Sequence, residues 1–182
     1  MAILDLLKQI NRKQHDQPHP VLGKESAVRN SFLTGLAMQA HADNRLTVEE
    51  TSLFYEVARA FQIEKDAADA LLAEAREPDE HVLEDIRNNL IHDKHKYYFI
   101  IDLYIMAHQD NKVAAVETQV IEQFARLLDV DQEELDFLTD LADAVLSNDP
   151  RERDLWIQNF VKRLPGGENL HIQDFDHYAP EG

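Results

Sequence analysis

The stretch His41-Ala42-Asp43-Asn44-Arg45-Leu46, followed by Glu50-Thr51, occurs a second time as His108-Gln109-Asp110-Asn111-Lys112-Val113, followed by Glu117-Thr118. Asp43 and Asp110 stand 67 positions apart, and so do Glu50 and Glu117. The register continues outward: Ala58-Arg59 meets Ala125-Arg126, and Phe61-Gln62-Ile63 meets Leu128-Asp129-Val130. Self-similarity at a fixed period is the signature of a repeated structural unit. The best-preserved positions are polar, so a shared core pattern alone does not account for them.

Each copy lies between two helical patterns. Val28, Phe32, Leu33, Leu36, Ala37 and Ala40 form one broad apolar face that runs into the first Asp-Asn pair. Tyr97 to Ala107, apolar but for Asp102, runs into the second and predicts a helix buried on nearly all sides. Asp-Asn is turn chemistry, and Asn is the best non-glycine residue for a left-handed helix exit. After the first turn, Thr47-Val48-Glu49-Glu50 reads as a capping box opening a helix that buries Leu53, Phe54, Val57, Ala58 and Phe61. A third helix, roughly 64–76, uses Ala67, Ala70, Leu71 and Ala75 and is closed by Pro78. Val82, Ile86 and Leu90 mark a connecting helix.

After the second turn, Val116, Val120, Ile121, Phe124 and Leu128 are the inward positions. Asp131-Gln132-Glu133-Glu134 is a further capping box, followed by Leu135, Leu138, Leu141, Ala142 and Val145. Asp149-Pro150 places an N-cap before a proline at the first helical position, ahead of Leu155, Trp156, Phe160 and Val161. Pro165-Gly166-Gly167 ends that helix. No segment sustains the alternation of a strand. The predicted fold is all-α, a helical bundle of two similar helix-turn-helix units (about 31–77 and 98–146) in a domain spanning 21–164. Residues 1–20 precede it: Ile3, Leu4, Leu7 and Ile10 form an amphipathic stripe of the kind that more often packs on its own domain than on a membrane or a partner, and His15 to Pro20 make a linker. Residues 165–182 are a tail of little periodicity.

Composition narrows the functional classes. The chain of 182 residues carries 18 Lys and Arg against 35 Asp and Glu, a net charge of −17. Such a surface repels phosphate backbones and suits divalent cations or a basic protein partner. Without cysteine there is neither a disulfide nor a thiolate metal site. The first residues, interrupted by Asp5 and lacking a basic lead, make a poor signal peptide, and no apolar run is long enough to span a bilayer. A soluble, cytoplasmic protein is expected.

The repeated loop has chemistry of its own. With Asp43 at position 5 of a calcium-binding EF-hand loop, Asn44 falls at 6, Leu46 at 8 and Glu50 at 12; Asp110, Asn111, Val113 and Glu117 fit the same way. The earlier half of the loop fails, since Gln39 or Met106 would stand at position 1 and His41 or His108 at position 3. Two carboxylates per copy are too few for tight binding, but Asp43, Glu50, Asp110 and Glu117 together make a four-carboxylate set for a divalent cation. His41, His108 and Asp102 are candidate additional ligands, imidazole favouring zinc, manganese or nickel over calcium. A plain architectural reading competes: Glu50 is the capping partner of Thr47, and Asp43 and Asp110 are turn formers. In the second copy Ala114 replaces Thr47, so Glu117 has no reciprocal cap, although it can serve a helix start electrostatically.

A repeated Asp-Gly-x-aliphatic-x-x-x-Glu turn between helices resembles the TerB-type tellurite-resistance domain, a domain type similar to the N-terminal part of a membrane-anchored DnaJ-type co-chaperone. The resemblance covers roughly 31–145 and rests on Asp43, Leu46 and Glu50 with Asp110, Val113 and Glu117. Asn44 and Asn111 stand where Gly is usual, and Asn tolerates the same backbone. The resemblance implies an acidic, metal-binding surface on a non-enzymatic module acting in stress or metal-oxyanion resistance through protein partners. Two alternatives stay open: an interaction domain without metal, and a metal-dependent hydrolase suggested by His92-Asp93 and His95. Asp102 is expected to pair with Arg59 or Arg126, or to face solvent through a gap, because a buried carboxylate needs a partner. No phosphate-binding glycine loop or Gly-x-Ser-x-Gly elbow occurs, so no catalytic residue is assigned. Nucleic acid is not an expected partner. In gel-shift titrations at about 150 mM salt, where phosphate contacts are already weakened, DNA and RNA should run unshifted.

Overall fold

The computed structural model describes residues 19–43, 46–92, 94–108 and 115–146, together with Arg151, Leu155, Gln158, Asn159 and Lys162. The expectations on residues 1–18, Asn44, Asp93, Asp110, Asn111, Val113 and Ala114, on the side chains of Leu53 and Val145, and on most of the chain beyond 146 lie outside the described residues. Among the described residues there is no strand. Among the described residues these helices follow in order: α1 Ser26–Ala40, α2 Val48–Ala60, α3 Lys65–Glu74, α4 Glu80–Leu90, α5 His95–Ala107, α6 Ala115–Leu127 and α7 Gln132–Leu146.

Local chemistry sets several of these bounds. The Thr47 hydroxyl accepts the Glu50 N–H at 3.1 Å while Glu50 Oε2 accepts the Thr47 N–H at 2.7 Å, the reciprocal cap that opens α2. Asp131 and Glu134 repeat this arrangement before α7, at 2.9 and 3.0 Å. Asp79 caps α4 through the Val82 N–H at 3.1 Å. The ends of α2 and α6 share one device. Ile63 N–H reaches Ala58 O at 2.9 Å and Val130 N–H reaches Ala125 O at 2.8 Å, each across a left-handed residue, Gln62 (φ 56°) and Asp129 (φ 53°). This is the Schellman ending, achieved without glycine in both places. The offset of 67 that relates the two sequence stretches thus also relates the ends of α1 and α5, both ends of α2 and α6, and the starts of α3 and α7.

Helix α1 lies at the centre, packed against α2, α3, α4, α5 and α6, while α5 packs in turn on α1, α4, α6 and α7. Both are apolar around most of their circumference, as a helix surrounded by others must be. Phe32 and Phe99 meet edge to face at 5.2 Å, Phe99 and Phe124 at 5.1 Å, and Phe32 and Phe61 at 5.5 Å, so one aromatic chain links α1, α5, α6 and the end of α2. Such pairs contribute roughly 0.5–1.5 kcal/mol each beyond their buried area.

The structure departs from the sequence pattern in two helices. In α3, Ala67 and Ala70 are exposed and Ala68 is buried instead, because a run of alanines carries little periodic signal, while Ala75, just past the helix, is buried as expected. In α6, Ile121, Phe124, Ala125 and Leu128, just past its end, enter the core, but Val116 and Val120 are only half-buried on a different side of the helix.

Gly35 decides how closely α1 and α5 approach. A Cβ at this position would lie 2.3 Å from Cζ and 2.6 Å from Cε2 of Phe99, so the ring rests on bare backbone. Replacing a helix-interior Gly by Ala ordinarily stabilises by roughly 0.5–1 kcal/mol. Here Gly35→Ala is expected to destabilise by about 1–3 kcal/mol, the range for overpacking a filled core. Urea denaturation measures it, and a gain in stability would contradict the contact.

Candidate functional site

The first acidic turn follows α1 directly. His41 is the C-cap residue, its N–H bonded to Ala37 O at 3.1 Å, and Asp43 is exposed two residues on. Glu50, half-buried in the first turn of α2, is held by Thr47 through both its N–H and its hydroxyl, the latter donating to Oε2 at 2.8 Å. The Thr51 hydroxyl donates to Thr47 O at 2.7 Å and tightens the same turn. One oxygen of Glu50 therefore carries the cap.

In the second copy, Glu117 occupies the first turn of α6, where the helix dipole favours a carboxylate. Its carbonyl lies 3.5 Å from the Nε2 donor of Gln39, a buried side chain in the last turn of α1. The start of α6 therefore lies against the helix that leads into the first acidic turn, so Glu117 and the first loop belong to neighbouring parts of the molecule. Asp110 lies outside the described residues. Among the described residues, no three His, Asp or Glu side chains converge into a metal-holding group.

The candidate additional ligands have other commitments. His41 Nε2 donates to Leu72 O at 3.2 Å, tying the end of α1 to α3. His108 Nδ1 donates to Tyr104 O at 2.9 Å, and its ring lies over Tyr104 with centroids 4.0 Å apart. The Tyr104 hydroxyl donates to Asp143 Oδ1 at 3.2 Å, and burial, with Asp143 beside it, pushes the phenol up to about 12. Of the proposed hydrolase ligands, His95 is buried at the start of α5, His92 is exposed, and Asp93 lies outside the described residues.

Asp102 corrects the sequence reading. Its partner is neither Arg59 nor Arg126, both of which are exposed, but His19, whose Nε2 lies 3.1 Å from Asp102 Oδ2. His19 belongs to the stretch read as a linker, yet its side chain is only 9% exposed. Its ring packs among Phe61 (5.1 Å), Phe32 (5.4 Å) and Tyr98 (6.4 Å). Nδ1 accepts the Val21 N–H at 3.1 Å. With Nδ1 an acceptor and Nε2 the donor to the carboxylate, the ring is the neutral Nε2–H tautomer. Burial pushes its pKa from 6.5 down to about 3. The pair resembles half of a catalytic dyad, but the nitrogen that would take a proton from a nucleophile is occupied by backbone and enclosed by aromatic rings. Its role is to pin residues 19–24 across α1 and α5. Pattern reading missed it because a histidine between prolines has no periodicity; the signal available was an aspartate inside an apolar helix, which needs a donor.

No protein-family description, curated protein or solved structure matches this chain.

The pinned imidazole makes a pH prediction. Its folded pKa lies below its unfolded one, so between about 6.5 and about 3 the unfolded chain binds the extra proton and stability falls as pH falls. The slope contributed by this one group approaches about 1.4 kcal/mol per pH unit. In nitrogen-correlated NMR of the folded protein, His19 should remain the neutral Nε2–H form from pH 8 to 5. A His19 resonance titrating near 6.5 in folded protein would contradict the assignment.

Proposed function

We propose that this chain is a non-enzymatic, TerB-like helical module that binds a divalent cation with modest affinity through Asp43, Glu50, Asp110 and Glu117 and engages protein partners in stress or tellurite resistance. The observation that carries the reading is the offset of 67, which relates the acidic turn, the helix bounds on either side of it and the left-handed endings that follow. An ancestral unit that kept only its core would not need to keep Asp and Glu in register. The Gln39–Glu117 contact adds support, because it brings the second copy's helix start against the helix preceding the first turn. The chain's excess of carboxylates favours cations at such a surface.

A second reading, an interaction domain without metal, is favoured by the full capping role of Glu50 and by the backbone bonds of His41 and His108. On that reading the same turns present an acidic face to a basic protein.

Thermal melting separates the two. An ion that binds only the folded state stabilises it by roughly 2.7 kcal/mol at a hundredfold excess over Kd. For a domain of this size that raises the midpoint by roughly 5–10 °C. Calcium, magnesium, manganese and zinc should be tried in turn at millimolar concentration against a chelator control. Glu117→Gln should lose most of the increment while melting in chelator at or above the wild-type temperature, since it relieves carboxylate repulsion. If no ion raises the wild-type midpoint, the metal-free interaction domain is the correct reading.

A further inference from the structure

Helices α2 and α3 meet at a corner that holds an open pocket of about 400 Å³. Its apolar lining is buried Ala58 and Ala68 with half-buried Tyr55 and Ile63. The volume lies within the roughly 300–1,000 Å³ of ordinary small-molecule sites. Two cations line it, Arg59 and Lys65. Lys65 is committed: its Nζ donates to Asp69 Oδ2 at 2.7 Å, and the Tyr55 hydroxyl donates to Oδ1 of the same carboxylate at 2.6 Å. Arg59 is not committed. It is exposed, and among the described residues its guanidinium has no carboxylate partner. The other half of the molecule shows what this corner lacks. At the positions 67 residues on, Arg126 stands for Arg59, and Glu122 stands for Tyr55 and pairs with Arg126 at 3.8 Å. Leu135 puts a buried isobutyl group where Ala68 has a methyl. The second corner thus carries its own carboxylate and its own branched alkyl group, while the first has the arginine and the room but neither of these.

We propose that this pocket binds a branched aliphatic monocarboxylate, its carboxylate paired with Arg59 and its alkyl group lying on Ala58, Ile63 and Ala68. A guanidinium matches a carboxylate with two parallel N–H···O bonds, a geometry that an ammonium does not offer. The alkyl group supplies the rest, since apolar surface placed against the alanines and Ile63 leaves water. A single charge is favoured over a phosphate or a dicarboxylate, because a chain of net charge −17 repels an anion more strongly the more charge it carries. Glu64, which also lines the pocket, is exposed and adds to that repulsion. The same chemistry is presented by a free branched-chain acid and by the carboxy-terminal residue of a peptide that ends in leucine. The site shares no residue with the acidic turns and needs no bound ion.

Nitrogen–proton correlation spectra of the full-length protein, titrated with isocaproate, test the assignment. Saturable shifts are expected at the amides of Gln62, Ile63 and Ala68, with a Kd in the millimolar range or below. Isocaproamide keeps the alkyl group without the charge, and acetate keeps the charge without the alkyl group; each should bind at least tenfold more weakly. Arg59→Gln, at an exposed side chain, should weaken isocaproate at least tenfold with circular dichroism unchanged. Arg126→Gln, the matching change in the other half, should bind it as wild type does. N-acetylleucine separates the two sources: affinity at or above that of isocaproate assigns the pocket to a peptide's carboxy terminus, and lower affinity assigns it to a free acid. The proposal is overturned if isocaproate gives no saturable shift, if acetate or the amide binds as tightly, or if Arg59→Gln binds as wild type does.

Discussion

The contact on which the rest of the structure depends is the ring of Phe99 lying on the bare backbone of Gly35. It sets the separation of α1 and α5, the two helices with the most buried side chains, and every other helix packs on one or both of them. With a Cβ there, α5 would have to move outward, and the edge-to-face contacts of Phe99 with Phe32 and Phe124 would shift together. A close-packed interior transmits such a displacement instead of absorbing it. The position equivalent to Gly35 in the second half, 67 residues on, is Asp102. The two halves therefore differ at their centres: one offers a seat for a ring, the other a carboxylate for His19.

Helices and their caps were legible in the sequence because both follow local rules. Thr47-x-x-Glu50 and Asp131-x-x-Glu134 are capping boxes on paper and in space, and the apolar faces of α1, α5 and α7 read correctly. What could not be read was non-local. The partner of Asp102 lies 83 residues away in a stretch without periodicity. The sidedness of α6 was equally hidden, since Val116 and Val120 continue the same hydrophobic pattern as Ile121 and Phe124 but are only half-buried. Alanine-rich α3 failed for a third reason: a side chain so small marks neither face.

The acidic turns illustrate how one residue serves two readings. Glu50 Oε2 completes a capping box, which needs no ligand, while the carboxylate stands at the position an EF-hand gives to its last ligand. A capping carboxylate at a helix start is already held in place near positive backbone potential, so the same geometry that stabilises the helix also reduces the cost of holding charge there. The two functions are compatible in space and compete only for a lone pair.

The pin between His19 and Asp102 bears on the order in which the chain assembles. It joins parts of the chain 83 residues apart, so the segment leading into α1 cannot settle until α5 has been synthesised and docked. Contacts of that span carry the loop-closure entropy that slows folding. During synthesis, the first helix-turn-helix unit leaves the ribosome before Asp102, the carboxylate that holds the His19 ring over Phe32 and Phe61, and the second unit acts as the template on which the first is completed.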